Sequence, residues 1–362
     1  MIKSRLLKVL YNVAVITVLL FSLLFLVYGL IKYDWHDFDV FYTAAKAALS
    51  GESIYVTVGQ YNLPFWYFPW TAWFYIPFAL WPYKLGLILY QSATILCAIF
   101  VVLHLARNTP ARPGGADLLF IYSMLVPMSV QLMQVGQMDY ILLGLIVVIM
   151  FAVKQKKEVL TGLLLPFLWI KPHLVIIFTL AVFWRAGKRT LLISLGLSAL
   201  MLFLETMLNP GWYWDMLRLL QVGSQRTGGL RFTTLPNMIG FQENWVGTAN
   251  LPFTLVLLAL ALLAVWKFRS LPTIPMLSLA LTASLFAAPR AYGYDLPLLI
   301  PAMIWLTTPD FKRNFWIWIL AAFLPLLSQF NSITYLVTLL VFLLSLWKAY
   351  VETHPQKQKL SA

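Results

Sequence analysis

The sequence predicts an all-α, polytopic integral membrane protein, and three observations carry that prediction. Hydrophobic residues make up 61% of the 362 residues, whereas charged residues make up only 11%. The mean hydropathy of +0.81 is higher than a water-soluble domain tolerates. Apolar stretches of the roughly 20 residues needed to cross a bilayer recur along almost the whole chain. Because lipid offers no partners to backbone polar groups, these stretches should be helices.

The apolar stretches define the predicted spans. The first follows three basic residues like a secretory signal, but it is too long and has no small-residue cleavage site, so we expect an uncleaved span. The remaining stretches alternate with charged turns, and the whole chain, 1–362, is predicted to form a single membrane domain. The predicted spans are 9–31, 84–106, 117–134, 139–153, 190–208, 251–266, 271–289, 295–309, 315–329 and 332–350.

Two further segments are apolar without being simple spans. Residues 67–82 are short and rich in proline and aromatic residues, and we expect them to dip into the membrane from the outer face. Residues 159–184 are too short to cross twice comfortably and carry Lys171-Pro172 at their middle. They are predicted to form two short helices that meet at a break. Counting that pair as crossings gives about 12 transmembrane helices, and treating it as re-entrant gives about 10.

The charge pattern predicts an orientation. The net charge is +13, and 18 of the 26 Lys and Arg residues fall in short clusters between even numbers of apolar stretches. The positive-inside rule places those clusters, and both termini, in the cytoplasm. The positive charge is therefore attributed to topology and not to nucleic-acid binding. Nine of the thirteen acids fall on the opposite side, where two long loops, 32–66 and 209–250, are expected to carry function.

The first outer loop contains a predicted surface helix. Apolar residues recur at helical spacing from Phe38 to Leu49. Asp37 is a plausible N-cap and Gly51 a plausible terminator. We expect a short amphipathic helix that lies along the outer membrane surface.

Five segments, taken in order, are similar to the motifs of a known family. They are the run from Asp37 to Tyr55, Tyr67-Phe68-Pro69, Gly136-Gln137-Met138-Asp139, Lys171-Pro172, and Pro289 through Pro301. Their order and spacing resemble glycosyltransferase family 87, whose members are GT-C-type membrane enzymes that use polyprenyl-phosphate sugars. One departure lies near residue 292, where many members have Trp and His and this chain has Tyr292-Gly293-Tyr294-Asp295.

The resemblance implies transfer of a sugar from a polyprenyl phosphate to an acceptor hydroxyl. Such a reaction needs a carboxylate that accepts the hydroxyl proton, and donors that stabilise the leaving phosphate. The resemblance places the catalytic carboxylate at Asp37, with Asp39 as a close competitor. Capping of the surface helix is the alternative role for Asp37, and the two roles are compatible because a helix N-terminus favours an ionised carboxylate.

Lys171 is the predicted ligand of the donor phosphate. A lysine between apolar runs is costly unless it is paired, so a functional role is the default interpretation. The alternative is that it extends to a lipid headgroup. His173 lies beside it and is predicted to contact substrate as well. Arg290, with Asp295 nearby, is a second candidate pair, for which a purely structural Arg–Asp ion pair is equally favoured.

Three more residues are predicted to contact substrate. Gln137 is placed to bind sugar hydroxyls, and Asp139 lies on the same short outer turn, where capping of the next helix is the favoured alternative. Tyr42 belongs to the first of the similar segments. The stretch 61–83 holds 12 aromatic residues, and either an interfacial aromatic belt or a wall against sugar or prenyl groups accounts for them.

The sequence thus predicts a glycosyltransferase with several features open. It would move a mannose-like hexose or a pentose from a polyprenyl-phosphate sugar to a glycolipid or glycan, with inversion, on the non-cytoplasmic face of the plasma (inner) membrane. No metal site is predicted, although a divalent cation near Asp37 or Asp39 is compatible with the chemistry. The alternative is a transporter or lipid-sugar flippase, which broken helices also suit. Clustering of the acids on one face and the lack of a detectable repeat favour the enzyme.

Overall fold

The computed structural model describes residues 35–56, 58–108, 135–226, 250–289, 291–306 and 334–354, together with Leu20 and Leu132. Within these ranges every regular element is helical, which confirms the predicted all-α fold class. Two 3₁₀ segments, Leu165–Ile170 and Gly293–Leu299, interrupt the α-helices. The α-helices are α1 (His36–Ser50), α2 (Pro69–Ala79), α3 (Tyr83–Asn108), α4 (Asp139–Lys154), α5 (Glu158–Leu164), α6 (Pro172–Ala186), α7 (Lys188–Leu208), α8 (Trp212–Arg226), α9 (Asn250–Lys267), α10 (Thr273–Ala287), α11 (Ile300–Leu306) and α12 (Thr334–Thr353).

Several helices suit a membrane. Three are long and apolar enough to cross one: Tyr83–Leu105, Lys188–Leu208 and Leu336–Thr353. Shorter apolar helices accompany them, and α7 exposes large apolar side chains such as Leu192 and Phe203. The elements α3, α4, α7, α9, α10 and α12 begin and end within a few residues of predicted spans. The predicted spans 9–31, 117–134 and 315–329 lie outside the described residues, or nearly so, and the total of 10 to 12 crossings stays a prediction.

Helix α1 forms as predicted but starts differently. It begins at His36 with Trp35 at the N-cap position and no side-chain cap. Asp37 therefore lies in the first turn, and the predicted capping role is wrong because its carboxylate has another partner, described below. Gly51 ends the helix with φ of 71°, a left-handed conformation that glycine adopts without a Cβ penalty.

The aromatic segment after the first loop packs against α1. Pro69 opens α2, where its fixed φ suits the first helical turn and its missing N–H costs nothing. The rings of Phe41 and Tyr75 stack with centroids 4.4 Å apart, and the Tyr75 hydroxyl lies 3.0 Å from that of Tyr90 on α3. A dense aromatic core therefore joins α1, α2 and α3.

The predicted break at Lys171-Pro172 is present. The first 3₁₀ segment ends at Ile170, Lys171 has non-helical φ and ψ of −131° and 68°, and α6 starts at Pro172. Proline cannot donate a backbone hydrogen bond, and it disfavours helical geometry in the residue before it. The break leaves Lys171 buried between two helical segments.

The second outer loop, predicted at 209–250, contains a helix that the sequence analysis did not anticipate. Helix α8 occupies Trp212–Arg226. The Ser53 hydroxyl donates to Asp215 Oδ2 at 3.0 Å, and Trp212 is buried in the same aromatic core as α1 and α2. The two long loops are therefore in contact.

Candidate functional site

A buried cluster of charges lies at the break before α6. Lys171 Nζ donates to both carboxylate oxygens of Asp139, at 2.9 and 2.8 Å, and to Asp295 Oδ1 at 2.9 Å. The three side chains are 5%, 0% and 2% exposed, respectively. An ammonium group has three protons, so the carboxylates satisfy all of them. The ring of Tyr294 lies 5.1 Å from Nζ and covers the cluster on a further side.

Each of these three side chains lies near the start of a helical segment or at a break between two segments. Asp139 is the first residue of α4, Lys171 lies at the helix break, and Asp295 belongs to the second 3₁₀ segment. Asp295 Oδ2 also accepts a hydrogen bond from the Tyr292 backbone N–H at 2.6 Å. Buried ions are tolerated only when they are paired and hydrogen-bonded. With two carboxylates and one ammonium, the cluster carries one net negative charge when all three groups are ionised.

Asp37 lies beside this cluster and is more accessible. Gln137 Nε2 donates to Asp37 Oδ2 at 2.7 Å and approaches the Tyr67 hydroxyl at 3.3 Å. The Asp37 side chain keeps 22% exposure, and His36 Nε2 lies 3.7 Å from its other oxygen. Asp37 is therefore a carboxylate held by an amide on one side and open on another.

A close approach of two backbones creates this contact. Gly136 has φ of 79°, and a Cβ on it would lie 2.5 Å from Cβ of Phe38. Only glycine meets both conditions, because other residues are strained at positive φ and would also collide with α1. The tight turn at Gly136 brings Gln137 within hydrogen-bonding distance of Asp37.

Burial shifts the acidity of the groups around Gln137. Loss of hydration raises the pKa of Asp37, against the lowering effects of His36, Gln137 and Lys171. It raises the pKa of Tyr67 as well, so that hydroxyl stays protonated at neutral pH. An ionised carboxylate with a raised pKa is a stronger base than an ordinary aspartate, and the match to operating pH improves.

The structure brings together five of the residues singled out from the sequence and separates others. Asp37 and Gln137 form a hydrogen-bonded pair that lies near the ion cluster of Asp139, Lys171 and Asp295. We call these five residues the acidic centre. His173 is half-buried in the first turn of α6, two residues from Lys171. Arg290 lies outside the described residues.

Asp39 and Tyr42 face elsewhere on α1. Asp39 is 5% exposed, and its Oδ2 lies 3.5 Å from the backbone N–H of Tyr61. Burial raises its pKa. The Tyr42 hydroxyl donates to the Trp81 carbonyl at 2.8 Å, which ties α1 to the turn before α3. Both side chains therefore have structural partners away from the acidic centre.

Two sequence-based alternatives are wrong for one shared reason. Asp139 does not cap α4, because Met138 is at the N-cap position with no side-chain cap. Lys171 does not extend to a lipid headgroup, because it is 4% exposed. In both cases the side chain points to a distant ion-pair partner. The Asp295 carboxylate likewise pairs with Lys171, where the sequence analysis had considered Arg290.

Three residues of this site were not predicted individually from the sequence. Tyr67, His36 and Tyr294 all contact residues of the acidic centre. Tyr67 and Tyr294 lie within segments that resembled the family, which was the available signal. Among the residues described here, no group of three or more His, Cys, Asp or Glu side chains is arranged to hold a metal ion.

Comparison with known families places this geometry in context. Residues 65–289, more than half of the chain, match the family described as glycosyltransferase family 87. The matched region includes Gln137, Asp139 and Lys171, and Asp37 lies outside it. No curated protein and no solved structure matched the chain.

Proposed function

Because the chain belongs to glycosyltransferase family 87, we propose that it transfers a sugar from a polyprenyl-phosphate donor to a hydroxyl group of a glycolipid or glycan. The observation that carries the proposal is Asp37, a partly exposed carboxylate that is hydrogen-bonded to Gln137 beside a buried ion cluster. We further propose a mannose-like hexose or a pentose as the transferred group.

Asp37 acts as the general base in this proposal. The acceptor hydroxyl gives its proton to Asp37 while its oxygen forms a bond to the anomeric carbon. The bond from that carbon to the phosphate oxygen breaks, and polyprenyl phosphate leaves with the electron pair. One displacement assisted by one base inverts the anomeric configuration. The raised pKa of Asp37 supports this role, because a base works best near the operating pH.

Gln137 is proposed to bind the sugar or the acceptor. Its Nε2 group is engaged by Asp37, but its Oε1 atom is buried and meets no hydrogen-bond donor within the described part of the chain. A buried carbonyl oxygen without a donor costs about 1–3 kcal/mol. A substrate hydroxyl that donates to this oxygen would recover that energy.

Lys171 is proposed to hold the site in shape. It binds the donor phosphate only if that phosphate replaces one of its carboxylate partners. All three of its protons bind carboxylates, so a phosphate oxygen must replace one of those bonds. Its hydrogen bonds hold the carboxylates of Asp139 and Asp295 in place beside Asp37. His173, Arg290 and Tyr42 stay proposed substrate contacts, and Asp39 stays the alternative base. The hydrogen bonds of Tyr42 and Asp39 favour structural roles for those two residues.

We place the reaction on the non-cytoplasmic face of the plasma membrane, with both termini cytoplasmic. The acidic centre lies at the start of α4, and the basic turn at 154–158 lies at its far end. The positive-inside rule supports this orientation. The alternative function, transport, accounts neither for an accessible base in the site nor for membership of a family whose members transfer sugars.

The test is turnover by the purified full-length protein. It is incubated with a panel of polyprenyl-phosphate sugars and a lipid-extract acceptor, and released polyprenyl phosphate is measured. The proposal predicts release with at least one donor and its loss in the variant Asp37→Asn. Movement of an intact lipid-linked sugar across the membrane of vesicles that contain the protein, with no release of polyprenyl phosphate, would establish transport as the function instead.

A further inference from the structure

The end of the bundle opposite the acidic centre carries a separate feature that the transferase reaction does not use. Helix α4 ends at Lys154, which at a rise of 1.5 Å per residue is about 22 Å from Asp139. The turn that follows leads into α5, and a second turn joins α6 to α7. The Thr190 hydroxyl donates to the Glu158 carbonyl at 3.1 Å, which holds the two turns side by side.

Two cavities open between these turns. The smaller, about 250 Å³, is lined by Lys156, Lys157, Glu158, Thr161, Arg185 and Gly187, among others. The larger, about 710 Å³, is lined by Lys156, Lys157, Glu158, Arg189 and the apolar side chains of Val159, Leu160 and Leu163. We call the larger one the basic groove. It combines cations with an apolar wall.

The cations of the basic groove are available to a ligand. Lys156, Lys157 and Arg189 are exposed, and within the described ranges none of them forms an ion pair with an acid. Glu158 is the single acid that lines the groove. Arg185 differs, because its guanidinium donates to the carbonyls of Arg269 and Leu271 and fixes the neighbouring turn. Three cations against one acid leave the groove with a net positive charge.

An exposed apolar strip begins at the same groove. Val159, Leu163 and Phe167 are 42%, 44% and 39% exposed. Val159 and Leu163 are four residues apart and lie on one face of α5, and Phe167 belongs to the 3₁₀ segment that follows. The strip starts beside the cations and continues along α5 into the 3₁₀ segment. An acyl chain extends from its headgroup into the bilayer in the same way.

We propose that the basic groove binds an anionic diacyl phospholipid, with the headgroup phosphate on Lys156, Lys157 and Arg189 and one acyl chain along Val159, Leu163 and Phe167. Basic pockets between transmembrane helices suit lipid phosphates, and each cation near a membrane surface adds to the attraction. A free phosphate would satisfy the cations and leave the apolar wall unused. This site is independent of the proposed transferase activity.

The experiment measures lipid binding to the full-length protein in detergent by native mass spectrometry. Phosphatidylglycerol is titrated, with phosphatidylcholine as the zwitterionic comparison and inorganic phosphate as a competitor. The test variants are Lys157→Gln/Arg189→Gln, which removes two cations, and Val159→Ser/Leu163→Ser, which removes the apolar wall. Lys267→Gln is the matched control, because Lys267 is an exposed cation at another basic turn and lies outside the groove. Thermal unfolding verifies that each variant is folded.

Phosphatidylglycerol is expected to bind at least tenfold more tightly than phosphatidylcholine. Loss of two cations should weaken binding by about 30-fold, the serine variant should weaken it measurably, and Lys267→Gln should bind as the unmodified protein does. Equal binding of both lipids, or an equal loss with Lys267→Gln, would overturn the proposal in favour of general surface charge. Displacement by millimolar inorganic phosphate together with an unaffected serine variant would overturn it in favour of a simple anion site.

Discussion

Replacing Lys171 by methionine tests the central geometric finding. Methionine keeps most of the apolar stem and removes the ammonium group, which donates three hydrogen bonds to Asp139 and Asp295. The two carboxylates would then lie 0% and 2% exposed with no cation between them. The net charge of the cluster would change from one negative charge to two.

The expected loss of stability is large. Removing one partner of a buried ion pair costs about 3–5 kcal/mol, because the remaining charge is buried without compensation. Net stabilities of folded domains are only about 5–15 kcal/mol. Each 1 kcal/mol lowers the melting temperature by about 2 °C in a chain of a few hundred residues, so we expect a fall of roughly 5–10 °C.

The assay is thermal unfolding of the purified protein in detergent, with two comparison variants. Lys46→Met removes an exposed lysine on α1 and should leave the melting temperature within about 1 °C, because isolated surface charges contribute little. The triple variant Lys171→Met/Asp139→Asn/Asp295→Asn removes all three charges and should recover most of the loss. It should lack activity, because the ion cluster beside Asp37 would no longer be charged.

An unchanged melting temperature for Lys171→Met would refute the reasoning. That result is expected if Lys171 extends to the membrane surface, or if it is unpaired in an open site that binds the donor phosphate. A raised KM for the donor with normal stability would support the phosphate-binding role that the sequence alone suggested. A lowered melting temperature that the triple variant does not recover would indicate lost packing and not an uncompensated charge.

Four further predictions follow from the same geometry. Asp37→Asn should lower kcat by about two orders of magnitude or more with little change in melting temperature, whereas Asp39→Asn should cost less activity. Normal turnover by both variants would show that the base does not lie on α1. Because burial raises the pKa of Asp37, kcat/KM should fall as the pH drops through a midpoint above the ordinary aspartate range of about 4, and a midpoint at or below that range would contradict the assigned environment. Gly136→Ala should destabilise the fold by at least about 1–2 kcal/mol from the left-handed backbone alone, and so lower the melting temperature. It should also lower kcat, because Gln137 would move away from Asp37. No change in either would argue against the close contact between Gly136 and α1. Cysteines at the exposed positions Glu52 and Gln155 should react with an impermeant thiol reagent from opposite sides of the membrane, and reaction of both from one side would reverse the proposed topology.

Local physical chemistry determined the helices of this protein. Hydropathy averaged over about 20 residues identifies apolar helices regardless of their neighbours, and the predicted span 139–153 agrees with α4 at Asp139–Lys154. The break at Lys171-Pro172 was predictable for the same reason, since proline limits its own backbone and that of the residue before it. The missed helix α8 is short and amphipathic with several charges, so averaged hydropathy gave no signal for it.

Only the tertiary structure decided which polar side chains share a site. Lys171 pairs with acids 32 and 124 residues away, and Asp37 is hydrogen-bonded to Gln137 at a separation of 100 residues. Local rules suggested caps for Asp37 and Asp139 because a cap needs only neighbouring backbone. In a poorly solvated interior a carboxylate gains more from a buried ammonium or amide than from a helix end that is close by in sequence, since charge-assisted bonds strengthen where water is excluded. Those partners depend on how the helices pack, and no local pattern encodes that packing.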